Sequence, residues 1–135
     1  MGIINAAPPM DDGYTSGIAT LCTRQTGAAF MSTNVADFGG RCNSNALLKL
    51  DSTIGGTPAS TVNLEGSVDN VNFYNIQYSL VATPDTWTVV ALSISTAVTG
   101  WYVLRRVGGI PWRFVRLNVS ADTNVTFTAA VASFA

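Results

Sequence analysis

Residues 60–68 read STVNLEGSV, and their alternation decides the fold class. Val62, Leu64, Gly66 and Val68 fall on one side, with Thr61, Asn63, Glu65 and Ser67 on the other. Successive side chains of an extended strand point to opposite faces, so a period of two marks a strand with one buried face. Asp69-Asn70 follows, and both residues tolerate positive φ and suit a tight turn. The chain then returns through Phe73, Tyr74, Ile76 and Tyr78, which predicts a β-hairpin.

Downstream of this hairpin, Pro84-Asp85 reads as a turn, and Trp87 to Ser95 as a strand with Val90, Leu92 and Ile94 on one face. Trp101 to Leu104 reads as a short strand and Val107 to Pro111 as a loop. Arg113 to Ser120 sets Val115, Leu117 and Val119 against Arg116, Asn118 and Ser120. Asp122-Thr123-Asn124 is expected to turn the chain into a closing strand, with Val125, Phe127, Ala129 and Val131 on one face. Upstream, Ile18 to Cys22 and Ala28 to Ser32 read as strands, Val35 to Asn45 as a loop around Gly39-Gly40, and Ile54 to Pro58 as a turn or loop. Leu47 to Leu50 has room for one helical turn at most.

Short strands at spacings of roughly 8–12 residues indicate a sandwich or barrel. The expectation is an all-β domain, an antiparallel β-sandwich over residues 18–135, preceded by an N-terminal arm over residues 1–17. Pro8-Pro9 and Asp11-Asp12-Gly13 break any regular period in that arm. It reads either as a frayed terminus or as an extended arm that contacts a neighbouring subunit through Ile3, Ile4 and Tyr14.

Composition narrows the function. The 135 residues correspond to one domain, long enough to bury a core without metals or disulfides. Charged residues make up 11%, against about a quarter in typical domains. Thr, Ser and Asn fill the polar positions, and such a surface packs against other protein with little charge to desolvate. With seven Lys and Arg and a net charge of −1, no basic patch for nucleic acid is expected. No apolar run is long enough to cross a bilayer as a helix. The N-terminus lacks the pattern of a secretory signal, so the chain is expected to stay in the compartment where it is made. Cys22 and Cys42 are accordingly expected to be free thiols rather than a disulfide.

The chemistry of catalysis is sparse. There is no histidine, which removes the commonest general base and zinc ligand. Most of the acids sit in predicted turns, where a carboxylate caps the backbone. Glu65 is mid-strand, and Asp69 lies four residues on, but a solvent-facing Glu beside a turn Asp is a simpler reading than a glycosidase pair. Asp69, Asn70 and Asn72 offer oxygens suited to calcium, yet the same residues make an ordinary turn. Gly55-Gly56 and Gly108-Gly109 precede no helix, so no phosphate loop is expected. Asn118-Val-Ser and Asn124-Val-Thr are chance matches to a glycosylation pattern. No catalytic residue, cofactor or metal is therefore expected, and the chain reads as a binding or assembly protein rather than an enzyme.

Arg105, Arg106, Arg113 and Arg116 lie close in sequence to Trp101, Tyr102, Trp112 and Phe114. Arg with aromatics is the composition of interface hot spots. It is also that of a core ringed by snorkelling arginines, and Trp101 or Trp112 could stack on a sugar ring. The small face of Thr126, Thr128, Ala130 and Ala132 suits close packing against a symmetry mate. The expected interface residues are Tyr14, Trp101, Tyr102, Arg105, Arg106, Trp112, Arg113, Thr126 and Thr128.

NLEGSVDNVNFYNI (residues 63–76) resembles a hairpin of jelly-roll sandwiches of the discoidin and carbohydrate-binding type, and PWRFVRLNVSADTNVTFTAAVASF (residues 111–134) resembles the closing strands found with it. The pair also resembles small structural proteins of tailed bacteriophages, among them head decoration (cement) proteins. The phage likeness is the better one, since both cysteines lie in the N-terminal half rather than at the termini. That resemblance implies a jelly-roll-like sandwich on the capsid surface of a virion assembled in the host cytoplasm. There it would bind the major capsid protein, often as a homotrimer, and clamp neighbouring subunits. The alternatives are a carbohydrate-binding module of a phage fibre or tail, or another head or tail component.

Overall fold

The computed structural model describes residues 2–5, 17–38, 45–83, 86–87, 92–104 and 112–134. They form ten strands: β1 (Gly2–Asn5), β2 (Gly17–Gln25), β3 (Phe30–Met31), β4 (Asn34–Asp37), β5 (Asn45–Ser67), β6 (Tyr74–Asn75), β7 (Tyr78–Leu80), β8 (Leu92–Ile94), β9 (Thr99–Leu104) and β10 (Phe114–Phe134). No helix occurs among the described residues.

Two strands form the spine. β5 and β10 run 23 and 21 residues, where strands usually have about 5–6. They pair antiparallel from Phe114↔Ser67 to Phe134↔Asn45. The other edge of β10 takes β4, β3 and β2 in turn, and the other edge of β5 takes β6, β8 and β9. β7 extends the sheet beside β9. β1 lies parallel to β4, so the sheet is mixed rather than wholly antiparallel. The sheet curls until its inner faces meet. Val62, Leu64, Val115 and Leu117 from one half then share a single core with Leu48, Leu50, Phe127 and Val131 from the other. The all-β, sandwich-like expectation holds.

Several local expectations change. Asp122-Thr123-Asn124 does not end a strand, and there is no closing hairpin, because β10 runs straight through. Asn124 sits at φ 57 inside it, facing Gly56 at φ 53 in β5. The register steps from Thr123↔Ala59 to Val125↔Ile54, so residues 55–58 loop out of β5 instead of separating two elements. Asp122 holds this corner, accepting from the Val125 N–H at 3.2 Å and from the Thr26 hydroxyl at 3.4 Å. Asn124 donates to the Thr57 carbonyl at 3.2 Å. Residues that tolerate positive φ serve a bulge as well as a turn, and only the partner strand distinguishes the two. Asn124→Val should destabilise the fold by about 1–2 kcal/mol, because a β-branched residue is strained there, while Asn124→Gly keeps the backbone. Urea titration of the two variants checks this, and equal stabilities would contradict it.

The stretch from Val35 is not simply a loop, since Asn34–Asp37 form β4 with Val35 and Ala36 buried. Of Ala28 to Ser32, only Phe30–Met31 is strand. Leu47 to Leu50 belongs to β5 rather than to a helical turn. Part of the expected N-terminal arm, residues 2–5, is the edge strand β1; Ile4 packs on the core and Ile3 is exposed. Tyr14, Cys42, Val90, Arg105, Arg106, the turn at residues 84–85, the glycine pairs at residues 39–40 and 108–109 and the loop at residues 107–111 lie outside the described residues.

Cys22 is free and buried, and its thiol leans on the Phe127 carbonyl at 3.7 Å. Burial pushes it up from 9.0 to about 11, against a smaller opposing pull from the backbone of Ala129. The folded state thus holds this proton more tightly than the unfolded chain. The resulting stability is complete below about pH 9 and is lost as the pH rises through 11. In a Cys42→Ser variant, Cys22 should resist iodoacetamide at pH 8 until urea unfolds the chain. Labelling of the native protein at the unfolded rate would contradict its burial.

Candidate functional site

Alternation sorts the residues of β2, β10, β5 and β9 onto two faces. Ala19, Val131, Leu48 and Tyr102 lie side by side and are buried, as are Cys22, Ala129 and Leu50. The intervening residues line up on the outer face. One row is Ile18, Ala132, Leu47 and Val103, and the next is Thr20, Ala130, Lys49 and Trp101. Thr128, Asp51 and Thr99 follow, then Thr126 beside Thr53. Ile18 is 68% exposed and Trp101 42%. Lys49 pairs with Asp51 at 2.9 Å and lies 5.9 Å from the Trp101 ring. The face is neutral and built of small or apolar side chains, of which Ala132 is nearly covered at 3% exposure, with Trp101 standing proud.

The other end of β5 is organised differently. Glu65 is buried and accepts from Arg116 at 3.2 Å and from the Asn118 amide at 3.2 Å. Phe73 covers the Arg116 guanidinium at 3.6 Å. Glu65, expected to face solvent, is instead a buried ion-pair partner set against Arg116 in register. Asp69 is not its partner, because the Asp69 carboxylate accepts from the backbone N–H groups of Val71 and Asn72. These groups, first that of Asn72, hold the carboxyl well below its ordinary value. The two Asp69 oxygens thus serve the turn, the Asn70 side-chain oxygen is buried without a partner there, and among the described residues no group of three His, Cys, Asp or Glu stands ready for a metal.

Tyr74 stacks on Trp112, with ring centres 6.3 Å apart and planes at 29°. Trp112 in turn lies on the bare backbone of Gly66, where a Cβ would come within 2.5 Å of Trp112 Cδ2 and 2.8 Å of Ile76 Cδ1. Gly66→Ala should therefore displace Trp112 and lower stability by about 1–3 kcal/mol. Near-ultraviolet circular dichroism and urea titration read this out, and an unchanged aromatic signal would refute the seating.

The expected interface residues do not form one cluster. Trp101 pairs with Lys49 and Tyr102 with Leu48, while Trp112 and Arg113 sit near Gly66 and Ser67 at the opposite end of β5. Tyr102 is a core residue in edge contact with Tyr78 at 5.7 Å, so it presents no surface. Trp112 is half-buried beneath Tyr74, and Arg113 is exposed and bound to Asp37 at 3.0 Å. Thr126 and Thr128 are half-buried on the outer face, and the Thr128 hydroxyl accepts from the Arg24 N–H at 3.0 Å. Sequence reasoning missed Ile18, Thr20, Leu47, Lys49 and Val103, which only strand register brings beside Trp101. It also missed the exposed Val68, Val71 and Tyr74, although a valine on either side of Asp69-Asn70 was a readable sign.

No protein-family model and no curated relative matches the sequence. The fold is similar to that of the SPBc2 prophage-derived protein YomS, known from a crystal structure. The two share 13% identity at a TM-score of 0.60, over 90% of this chain and 95% of that one. At this identity the likeness is one of fold.

Proposed function

We propose that the chain is a structural protein of a bacteriophage particle that binds the outside of the capsid and stabilises contacts between major capsid subunits. The observation that carries this reading is the outer face of β2, β10, β5 and β9. Its residues present neutral small side chains around Trp101, and its one ion pair closes on itself. Such a face sheds water at little electrostatic expense and offers an aromatic anchor. The shared fold with a prophage-derived protein agrees in kind. The engagement of Glu65 by Arg116 and Asn118 supports a structural rather than a catalytic role for that residue.

Four strands about 4.8 Å apart and seven residues of about 3.3 Å each give a footprint of roughly 400 Å². A standard interface uses about 800 Å² per partner. Attachment through this face alone is therefore weak, and multiple copies, as in a trimer, or a second contact must strengthen it. Carbohydrate binding has less support, because the exposed rings Trp101 and Tyr74 lie toward opposite ends of β5.

The test is co-sedimentation with expanded, empty capsids of the phage that encodes the chain. Wild type should co-sediment, and Trp101→Asp with Ile18→Asp should lose attachment while remaining folded. Wild-type protein that stays in the supernatant sinks the decoration reading. Light scattering of the free protein reports on the trimer.

A further inference from the structure

The first strand of the chain fills a seat shaped for it. β1 lies along the edge of β4 from Gly2↔Asn34 to Asn5↔Asp37, the one parallel pairing among the described strands. The Gly2 N–H donates to the Thr33 carbonyl at 2.9 Å. At Gly2 a Cβ would come within 2.6 Å of Asn34 Oδ1. Asn34 has little freedom to move aside, because its amide donates to the Thr20 carbonyl at 3.1 Å. Ile4 packs on the core, and Val35 and Ala36 of β4 are fully buried.

An unpaired edge at β4 is a template for another strand, so the seat does not stay empty. Yet β1 itself is lightly held. It has four residues, and of its two isoleucines only Ile4 reaches the core, Ile3 being 57% exposed. Terminal strands with few buried contacts open at low cost. Residues 6–16, eleven in all, join β1 to β2. Eleven residues reach at most about 36 Å, against a radius of gyration of roughly 14 Å for a domain of this length. A released β1 can therefore reach the β4 edge of a touching copy.

We propose that β1 is exchanged between copies of this chain, the strand of one protomer filling the β4 edge of the next. The seat names its occupant, since a second copy offers the same Gly-Ile-Ile-Asn in the register already present in the fold. Exchange keeps every β1–β4 contact and replaces a tethered strand by an untethered one, so local concentration sets the balance. The crossover falls near the millimolar effective concentration that a short connection provides. Copies crowded on one surface meet that condition, and the exchange ties their small sheet footprints together. It is a property of the free protein and does not depend on the particle reading.

The experiment uses full-length protein with the photo-crosslinker benzoylphenylalanine in place of Ile3, which lies opposite Val35. Copies made with light and with heavy nitrogen are mixed in equal parts and irradiated. Digestion after Arg24 and Arg41 joins β1 to β4 as two peptides whose masses show whether they came from one copy or two. At about 2 mM, mixed-isotope pairs should make up roughly a quarter or more of the β1–β4 cross-links, and at about 1 μM they should fall more than tenfold. In light scattering, Ile4→Asp should abolish the oligomers present at high concentration, whereas Trp101→Asp should keep them. Same-isotope pairs alone at both concentrations overturn the exchange, whether or not Ile4→Asp folds. Oligomers that persist in folded Ile4→Asp overturn β1 as the link. Mixed pairs in a protein that fails to attach to capsids overturn the particle reading and leave the exchange standing.

Discussion

Glu65→Ala should destabilise the protein by about 3–5 kcal/mol, the usual result of stranding a buried charge. Glu65 and Arg116 are both largely buried, with side chains 9% and 16% exposed, and they face each other across β5 and β10. Removing the carboxylate leaves the guanidinium under Phe73 with no counter-charge and takes an acceptor from Asn118. The hairpin base should loosen with it. The double variant Glu65→Leu with Arg116→Met should recover most of the loss, since an apolar pair of similar volume avoids desolvating either charge. The exposed pair Arg113–Asp37 gives the contrast, with Arg113→Ala costing no more than about 1 kcal/mol. Urea titration of all three measures the scale. Glu65→Ala within the range of Arg113→Ala would mean the pair is hydrated in solution.

Phe127→Ala should cost about as much, roughly 3–5 kcal/mol, through lost burial and the cavity left behind. Phe127 is fully buried, meets Phe30 at a ring separation of 6.0 Å, and lies on β10 between Gln25 of β2 and Ser52 of β5. It therefore fills the core beneath the central strand. Against a typical total stability of about 5–15 kcal/mol, much of the protein would be near its limit. The melting temperature should fall by roughly 10–20 °C. Calorimetry measures this, and a fall no larger than that of Trp101→Ala would show the ring to be poorly packed.

Both residues were readable in part. The alternation of Val125, Phe127, Ala129 and Val131 places Phe127 inward with no knowledge of its neighbours, because period two is a property of the extended chain itself. Val62 and Leu64 read equally well, as did the Asp69-Asn70 turn, whereas Glu65 and Ser67, expected to face solvent, are buried and Val68, expected inward, is exposed. Glu65 stood out as the one mid-strand acid, but its partner did not, since Arg116 is 51 residues away. The Asp122–Asn124 turn failed for the same reason. Tolerance of positive φ is local, whereas the choice between reversing the chain and bulging within it depends on whether β5 lies alongside.

The sequence alone determined the all-β class, the inward and outward sets of most strands, the rigid Asp69 turn, and the scarcity of catalytic side chains. All of these follow from backbone geometry and side-chain chemistry within a few residues. Tertiary structure decided which strands are neighbours. It thereby split Trp101 from Trp112, buried Tyr102, paired Glu65 with Arg116, and assembled Ile18, Leu47, Thr128 and Trp101 into one face from segments far apart in the chain. Register sets these choices, and register is decided by burial of the whole inner face at once, which no short window of sequence contains.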